Sequence, residues 1–301
     1  MNLPDGYSVR RPTPSDAPAA AAVITGADEA ADKLTADDIE RGWRELDLDN
    51  DVWLFDQNGS VVACGGLLKR SDERVASEGY VEPRHAGRGL GSALLTLIEA
   101  RAAELAPRGR LTNGVIASNR AATSLLEGRD YRPVRHFFRM AIELDEPPPR
   151  PEWPDGLEPR PFDRSHAREF HAALEEAFAD EWGHVAEPFE AWQARRVDSP
   201  GASPDLWLGV WDGDELAATI VCDARRYEMG WVAAVGVRAG WRRRGLGLAL
   251  LHHAFGEFWR RGERIVGLGV DAGNATGATR LYERAGMRVA FEAVVYERRL
   301  P

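Results

Sequence analysis

The stretch Val235-Gly-Val-Arg-Ala-Gly-Trp-Arg-Arg-Arg-Gly-Leu-Gly-Leu-Ala-Leu-Leu251 decides how the rest of the chain is read. An apolar run through Val235, Gly236 and Val237 ends in a basic, glycine-rich turn, and Gly247 opens an amphipathic segment. The order is strand, anion-binding turn, helix. Glycines at 245 and 247 permit backbone angles that a Cβ forbids and let a ligand approach the main chain closely. The first N–H groups of the helix, from Gly245, Leu246 and Gly247, lie at the positive end of its dipole and suit a phosphate. Arg242, Arg243 and Arg244 add guanidinium charge at the same place. A dinucleotide-binding turn fits worse, because Leu250 stands where the third glycine of G-x-G-x-x-G is required.

The pattern Arg242-x-x-Gly245-x-Gly247 directly after a buried strand resembles the acetyl-CoA pyrophosphate loop of the GCN5-related N-acetyltransferases, the GNAT family. A second segment carries the resemblance further. Asn274-Ala-Thr-Gly-Ala-Thr-Arg-Leu-Tyr-Glu-Arg-Ala-Gly-Met287 is similar to the family motif ending in Leu-Tyr-Glu-x-x-Gly-Phe, with Met287 in place of Phe.

The bulk numbers suit that class. At 301 residues with 44% apolar content, the chain can form one large or two ordinary packed domains. A net charge of −10 argues against nucleic acid or an anionic membrane as the main partner. No apolar run approaches about 18 residues, and the start Met-Asn-Leu-Pro-Asp-Gly has no charged region followed by an apolar one. A cytoplasmic protein, monomer or homodimer, is expected. The two cysteines, Cys64 and Cys222, sit in strand-like runs with no metal-ligand spacing, so they read as small buried hydrophobes.

Taken in order, the first half reads as a strand at Tyr7 to Arg10, a helix capped by Ser15-Asp16 and a second helix from Thr35 to Leu46. A hairpin follows, with strands from Val52 and Val61 around Asp56-Gln-Asn-Gly59. Next come a strand from Val75 to Val81, the turn Gly87-Arg-Gly-Leu-Gly91 and a helix from Ser92. A strand from Leu111, a helix from Arg120 and a strand from Val134 to Leu144 complete it. Residues 145–156 hold five prolines in twelve positions, which excludes helix and sheet interior and marks a linker. The second half repeats the order: strand from Leu157, helices from Ser165 and Pro188, a hairpin with strands from Asp205 and Glu215, and the strand Trp231 to Val237. The opening motif, a strand from Arg264, a helix from Thr276 and a strand from Arg288 follow. Gly89 and Gly245 are 156 residues apart, as are Gly91 and Gly247. That constant offset is an internal repeat. The expected fold is mixed α/β, with two GNAT-type domains at 1–145 and 157–301 separated by the linker 146–156. Each is a mixed, mostly antiparallel sheet flanked by helices.

The repeat allows the halves to be compared position by position. Ala86 stands where the second half has Arg242, Leu126 where it has Tyr282, and Asp130 where it has Gly286. The first half is therefore read as a weakened copy. Its loop, Gly87, Arg88, Gly89, Leu90 and Gly91, either still holds acetyl-CoA through backbone N–H groups or only supports the second half, and both readings stay open.

The resemblance implies acetyl-CoA as cosubstrate and direct transfer to the primary amine of a small-molecule acceptor. Val235, Gly236 and Val237 would pair with the pantetheine, a backbone N–H near Val235 to Val237 would stabilise the tetrahedral oxyanion, residues 242–247 would hold the pyrophosphate, and Asn274 would lie close to the cofactor. Tyr282 would protonate the departing thiolate. Relatives place a carboxylate base on the fourth strand, but Trp231 to Val235 has none. Glu228 and Asp223 are the nearest candidates, each against the plainer reading of a solvated strand-end charge. Asp180, Glu181, Trp182, His184 and Glu187 fall where the acceptor loop of the family lies, and also suit an ordinary interhelical loop. His252 and His253 read as helix-surface residues. Two rival readings remain: an acyl-CoA-binding sensor without catalysis, and an acetyltransferase acting on protein N-termini or lysines.

Overall fold

The local chemistry of the sequence sets most element boundaries. In the computed structural model, residues 3–27, 34–179, 181–182, 184–199, 201–274 and 277–301 are described. They form β1 (Tyr7–Arg10), α1 (Ala17–Ala27), α2 (Ala36–Trp43), α3 (Leu48–Asp51), β2 (Val52–Gln57), β3 (Ser60–Ser71), β4 (Arg74–Val81), α4 (Leu90–Leu105), β5 (Arg110–Ile116), α5 (Arg120–Glu127) and β6 (Arg132–Glu143). After the proline-rich segment come β7 (Glu158–Pro161), α6 (Ala167–Phe178), α7 (Phe189–Arg196), β8 (Leu208–Asp212), β9 (Glu215–Arg226), β10 (Met229–Val237), α8 (Leu246–Arg260), β11 (Ile265–Asp271), α9 (Ala278–Arg284) and β12 (Arg288–Arg299). Thr35 caps α2 as expected: its hydroxyl accepts from the Asp38 N–H while the Asp38 carboxylate accepts from the Thr35 N–H. Asn58 and Gly59, both left-handed at φ 51° and 82°, close the β2–β3 hairpin.

Some boundaries depart from expectation. The cap before α1 is Thr13 rather than Ser15-Asp16. Its N–H donates to Asp16 at 2.7 Å, and Pro14–Asp16 forms a short 3₁₀ turn before the helix begins. Residues 204–206 form another such turn, so the strand expected from Asp205 begins at Leu208. Thr276, expected to start the last helix, lies outside the described residues, and α9 begins after Gly277.

The chain divides into two compact units. One comprises Met1–Phe137 with Phe291–Pro301, the other Phe138–Ala290. The linear division expected at 146–156 is therefore not the one the packing follows. That segment carries no helix or strand, as five prolines require, but it belongs to the second unit. The physical reason is strand pairing: Ala293–Arg299 of β12 form an antiparallel ladder with Ile116–Arg110 of β5, inside the first unit.

Within the first unit β1, β2, β3 and β4 are antiparallel neighbours, and β4 runs parallel to β5. Within the second, β7, β8, β9 and β10 are antiparallel and β10 runs parallel to β11. Within each unit the strand pairing is mixed and mostly antiparallel, with helices packed on the strands. In the second unit, α8 buries Leu246, Leu250, Leu251, Phe255 and Phe258, spaced at three and four residues on one stripe. Each such side chain is worth about 1.5–3 kcal/mol when fully buried. In the first unit α4 buries Leu90, Leu94, Ile98 and Ala102 in the same way.

The parallel pairs hold only briefly. Gly230 and Trp231 pair with Val266 and Gly267, and no described ladder continues beyond them, although β10 stays paired with β9 as far as Val237. In the first unit β4 and β5 are in register from Arg74 to Ser77 and then part. Parallel neighbours that separate in mid-sheet leave a V open toward the glycine-rich turn at the end of β10 or β4.

Candidate active site

Both glycine turns have the same backbone, and their side chains differ. Gly245 caps α8 at φ 91° and Gly89 caps α4 at φ 85°; no side chain accepts the first helical N–H groups at either end. Two residues earlier Arg243 stands at φ 63° and Gly87 at φ 73°. A left-handed arginine costs about 1–2 kcal/mol relative to glycine, so the second turn keeps that guanidinium against a backbone penalty. Leu246 and Gly247 follow the cap, and Gly247 is fixed by packing: a Cβ there would stand 2.7 Å from Leu281 Cδ2 of α9. The corresponding contact at Gly91, with Leu125 Cδ2, is looser at 3.3 Å.

Arg242 donates from Nε to the Val237 carbonyl at 3.0 Å, tying the turn to the strand end. Arg243 and Arg244 are exposed and have no ion-pair or hydrogen-bond partner among the described residues. The first unit is arranged otherwise. Arg88 donates to the Tyr7 hydroxyl at 3.1 Å, Tyr7 is in turn bonded to His85, and Arg84 is paired with Glu82.

β10 has a feature that β4 lacks. Its register against β9 slips between Val232 and Ala234, so Ala233 is a bulged residue, whereas β4 runs unbroken against β3 from Ala76 to Val81. A bulge leaves backbone groups out of the ladder and re-aims them. Here it lies where β10 and β11 have just parted, and Ala233, Ala234 and Val235 are half-buried there. Gly236 packs toward α6, where a Cβ would meet Ala177 and Leu174.

Tyr282, on α9, is half-buried, and desolvation together with the negative charge of Glu181 pushes its phenol up to about 12. Glu181 lies in the turn after α6, and its Oε1 accepts from Asn274 Nδ2 at 3.0 Å. The structure thus brings Tyr282, Asn274 and Glu181 together from α9, the end of β11 and the α6–α7 turn. Sequence reasoning named Glu181 only as one of a loop cluster, since nothing in the spacing linked residue 181 to residue 282. The other members of that cluster divide. Glu187 is held by both nitrogens of the Arg195 fork, His184 bonds to Glu175 at 3.2 Å, Trp182 is partly exposed, and Asp180 lies outside the described residues.

The two base candidates are placed elsewhere. Glu228 is exposed, in the left-handed turn joining β9 to β10 at φ 59°. Seven residue steps of strand separate it from Val235, roughly 23 Å at about 3.3 Å per residue. Asp223 pairs with Arg196 at 3.5 Å. His253 lies near Glu257 at 3.8 Å on α8, and burial pushes its imidazole down. Cys64 and Cys222 are both buried, and desolvation pushes their thiols up.

Comparison with known proteins agrees with this geometry. The acetyltransferase (GNAT) family model matches twice, over residues 22–131 and 140–287. A mycothiol acetyltransferase of Thermobispora bispora is 31% identical over 255 residues, covering 80% of this chain and 81% of that protein. The crystal structure of a GCN5-related N-acetyltransferase from Sphaerobacter thermophilus superimposes with a TM-score of 0.85 at 38% identity, over 99% of this chain and 97% of the other. A tandem GNAT protein from the clavulanic acid biosynthesis pathway shares the fold at a TM-score of 0.75 and 16% identity, over 98% and 99% of the two chains. The chain belongs to the acetyltransferase (GNAT) family and is an acyl-CoA-dependent N-acetyltransferase with two copies of the family fold.

Proposed function

We propose that the second unit transfers the acetyl group of acetyl-CoA to the primary amine of a small molecule, in one ternary complex without a covalent enzyme intermediate. The observation that carries this reading is the meeting of Tyr282, Asn274 and Glu181 at the end of β11. The pyrophosphate is read onto the N–H groups of Gly245, Leu246 and Gly247 with Arg243 and Arg244, whose charges have no partner among the described residues. The pantetheine lies along β10 beyond Val232, where β11 no longer occupies the strand edge. A backbone N–H at the Ala233 bulge faces the carbonyl oxygen as it becomes an oxyanion. Buried thiols held protonated at Cys64 and Cys222 favour direct attack over an acetyl-cysteine.

Glu181 takes the role that Glu228 cannot fill from its distant turn. A carboxylate hydrogen-bonded to Asn274 attracts an ammonium acceptor, removes its proton directly or through a water, and leaves the neutral amine to attack. The same charge keeps the Tyr282 phenol protonated, ready to deliver its proton to the leaving sulfur. Relatives named mycothiol acetyltransferases favour a small-molecule acceptor over a protein. The test is thiol release from acetyl-CoA across a panel of small primary amines, with wild type and Glu181→Gln compared at several pH values. Glu181→Gln is expected to lower kcat/KM for the amine about a hundredfold and to remove the acid limb of its pH profile. An unchanged profile would sink the assignment.

A further inference from the structure

The last turn of α6 carries two adjacent carboxylates, Glu175 and Glu176, that reach in different directions. Acids near a helix C-terminus face the negative end of its dipole, so the pair is kept against a cost that neutral side chains would not meet. The helix beneath them is firmly seated. Phe170, Ala173 and Leu174 are buried, and a Cβ on Gly236 at the end of β10 would stand 3.2 Å from Ala177 Cβ and 3.3 Å from Leu174 Cδ2.

Glu176 grips the chain between β10 and the glycine turn. Its Oε2 accepts from Arg238 Nε at 2.7 Å and its Oε1 from the Ala239 N–H at 3.2 Å. Arg238 also donates to the Leu216 carbonyl at 3.3 Å and lies over the Trp241 ring, whose Nε1 donates to Asp212 at 2.8 Å. Ala239–Trp241 is a 3₁₀ turn, and the next residue, Arg242, opens the pyrophosphate turn. The Arg238 hydrogen bond, with the charge of Arg242 behind it, holds the Glu176 carboxyl below the usual carboxylate range. Glu175 reaches the other way and is hydrogen-bonded to His184 Nε2 at 3.2 Å. Glu181 hangs on the same helix end: its N–H donates to the Phe178 carbonyl at 2.9 Å, and its own carbonyl accepts from the His184 N–H at 3.1 Å. The first unit has no counterpart. Its α1 carries no acidic side chain, its 3₁₀ turn starts at Pro83, which has no N–H, and Glu82 before it is paired with Arg84.

We propose that Glu176 is a positioning residue for acetyl transfer: by gripping Arg238 and Ala239 it fixes the end of α6 against the pyrophosphate turn, and thereby sets where Glu181 stands relative to the bound cofactor. Glu176 touches neither substrate. It acts through the turn on one side and through the last turn of α6 on the other. This deepens the acetyl-transfer reading and rests on it.

Two measurements on the full-length protein test it: calorimetric titration with acetyl-CoA, and kcat/KM for the best amine of the panel at saturating acetyl-CoA. Glu176→Ala removes the grip while alanine keeps the helix, and Arg238→Gln breaks the same pair from the other side. Glu169→Ala, which removes an exposed acid elsewhere on α6, is the control and should change neither quantity. Glu176→Ala is expected to weaken acetyl-CoA binding about fivefold. With the cofactor saturating it should still lower kcat/KM for the amine about tenfold, a loss that a weaker cofactor site alone cannot produce. Arg238→Gln should move both quantities the same way by smaller factors. In the Glu181→Gln background Glu176→Ala should cost the amine less than about twofold, because the group it positions is already gone. Unchanged acetyl-CoA affinity in Glu176→Ala would overturn the hold on the turn. Equal losses for the amine in both backgrounds, or none in either, would overturn the link to Glu181. A Glu181→Gln variant as fast as wild type would instead overturn the role given to Glu181 and the link with it, while the acetyl-CoA titration would still decide the hold on the turn.

Discussion

Tyr282 shows how one side chain is prepared by its surroundings. An exposed phenol releases its proton near pH 10; burial and the Glu181 carboxylate move that point up to about 12. The sign matters for both rate and stability. The neutral phenol is favoured in the folded protein, so this group contributes full stability below pH 10 and loses it as pH rises from about 10 toward about 12. Below pH 10 the Tyr282 phenol stays protonated, as the proposed proton donor must be. Tyr282→Phe is therefore expected to lower kcat about a hundredfold with little change in KM for acetyl-CoA. The wild-type rate should show no alkaline limb from this group up to pH 9.5. A limb with its midpoint between 8 and 9.5, present in wild type and missing in Tyr282→Phe, would overturn the upward shift, and a Tyr282→Phe variant as fast as wild type would overturn the role. Tyr282 was legible in the sequence because the Leu-Tyr-Glu pattern marks it. Glu181 was not singled out, because its partners Asn274 and Tyr282 come from far along the chain. Glu228 was named for its adjacency to β10 in sequence, which says nothing about which end of the strand it occupies, and the structure puts it in the β9–β10 turn.

At the scale of the element, the strand–turn–helix unit does two jobs with two glycines. Gly245 supplies the left-handed cap that leaves the α8 N–H groups unaccepted, while Gly247 lets α8 approach α9 closely enough to seat Tyr282. Gly247→Ala would put a Cβ 2.7 Å from Leu281, and Gly91→Ala would put one 3.3 Å from Leu125. Overpacking of the tighter kind costs about 1–3 kcal/mol, and the looser contact should cost less than half as much. Thermal unfolding of the two variants measures the difference. Adding Leu281→Val to Gly247→Ala should recover part of the loss, because residues in contact are not additive. Equal losses at both sites, or strict additivity, would show that Gly247 is kept for the ligand rather than for packing. Both turns and the helices they open were legible as glycine patterns at a fixed offset. The bulge at Ala233 was not, because Trp-Val-Ala-Ala-Val reads equally well as an unbroken strand, and a bulge is set by its partner's register.

For the whole molecule, the repeat was visible in the sequence but the division of the chain was not. Proline spacing marks where regular structure stops; which strands pair is decided by edges far apart in sequence. The last eleven residues belong to the first unit, where Ala293–Arg299 pair with β5 and Val294, Tyr296 and Leu300 enter the core beside Tyr131 and Leu111. At about 1.5–3 kcal/mol per buried side chain, those three are worth about 5–9 kcal/mol, comparable to the whole stability of a typical domain at about 5–15 kcal/mol. They also cover the edge of β5, which would otherwise present seven residues of unpaired backbone. A fragment of residues 1–145, cut at the proline-rich segment, is therefore expected to aggregate or remain unfolded. Supplying residues 291–301 through a flexible joint should restore a cooperative unfolding transition. Circular dichroism and size-exclusion chromatography on both fragments decide the matter. A monomeric, cooperatively folded 1–145 would mean that the first unit is complete without its C-terminal strand, and that the pairing of β12 with β5 adds little to it.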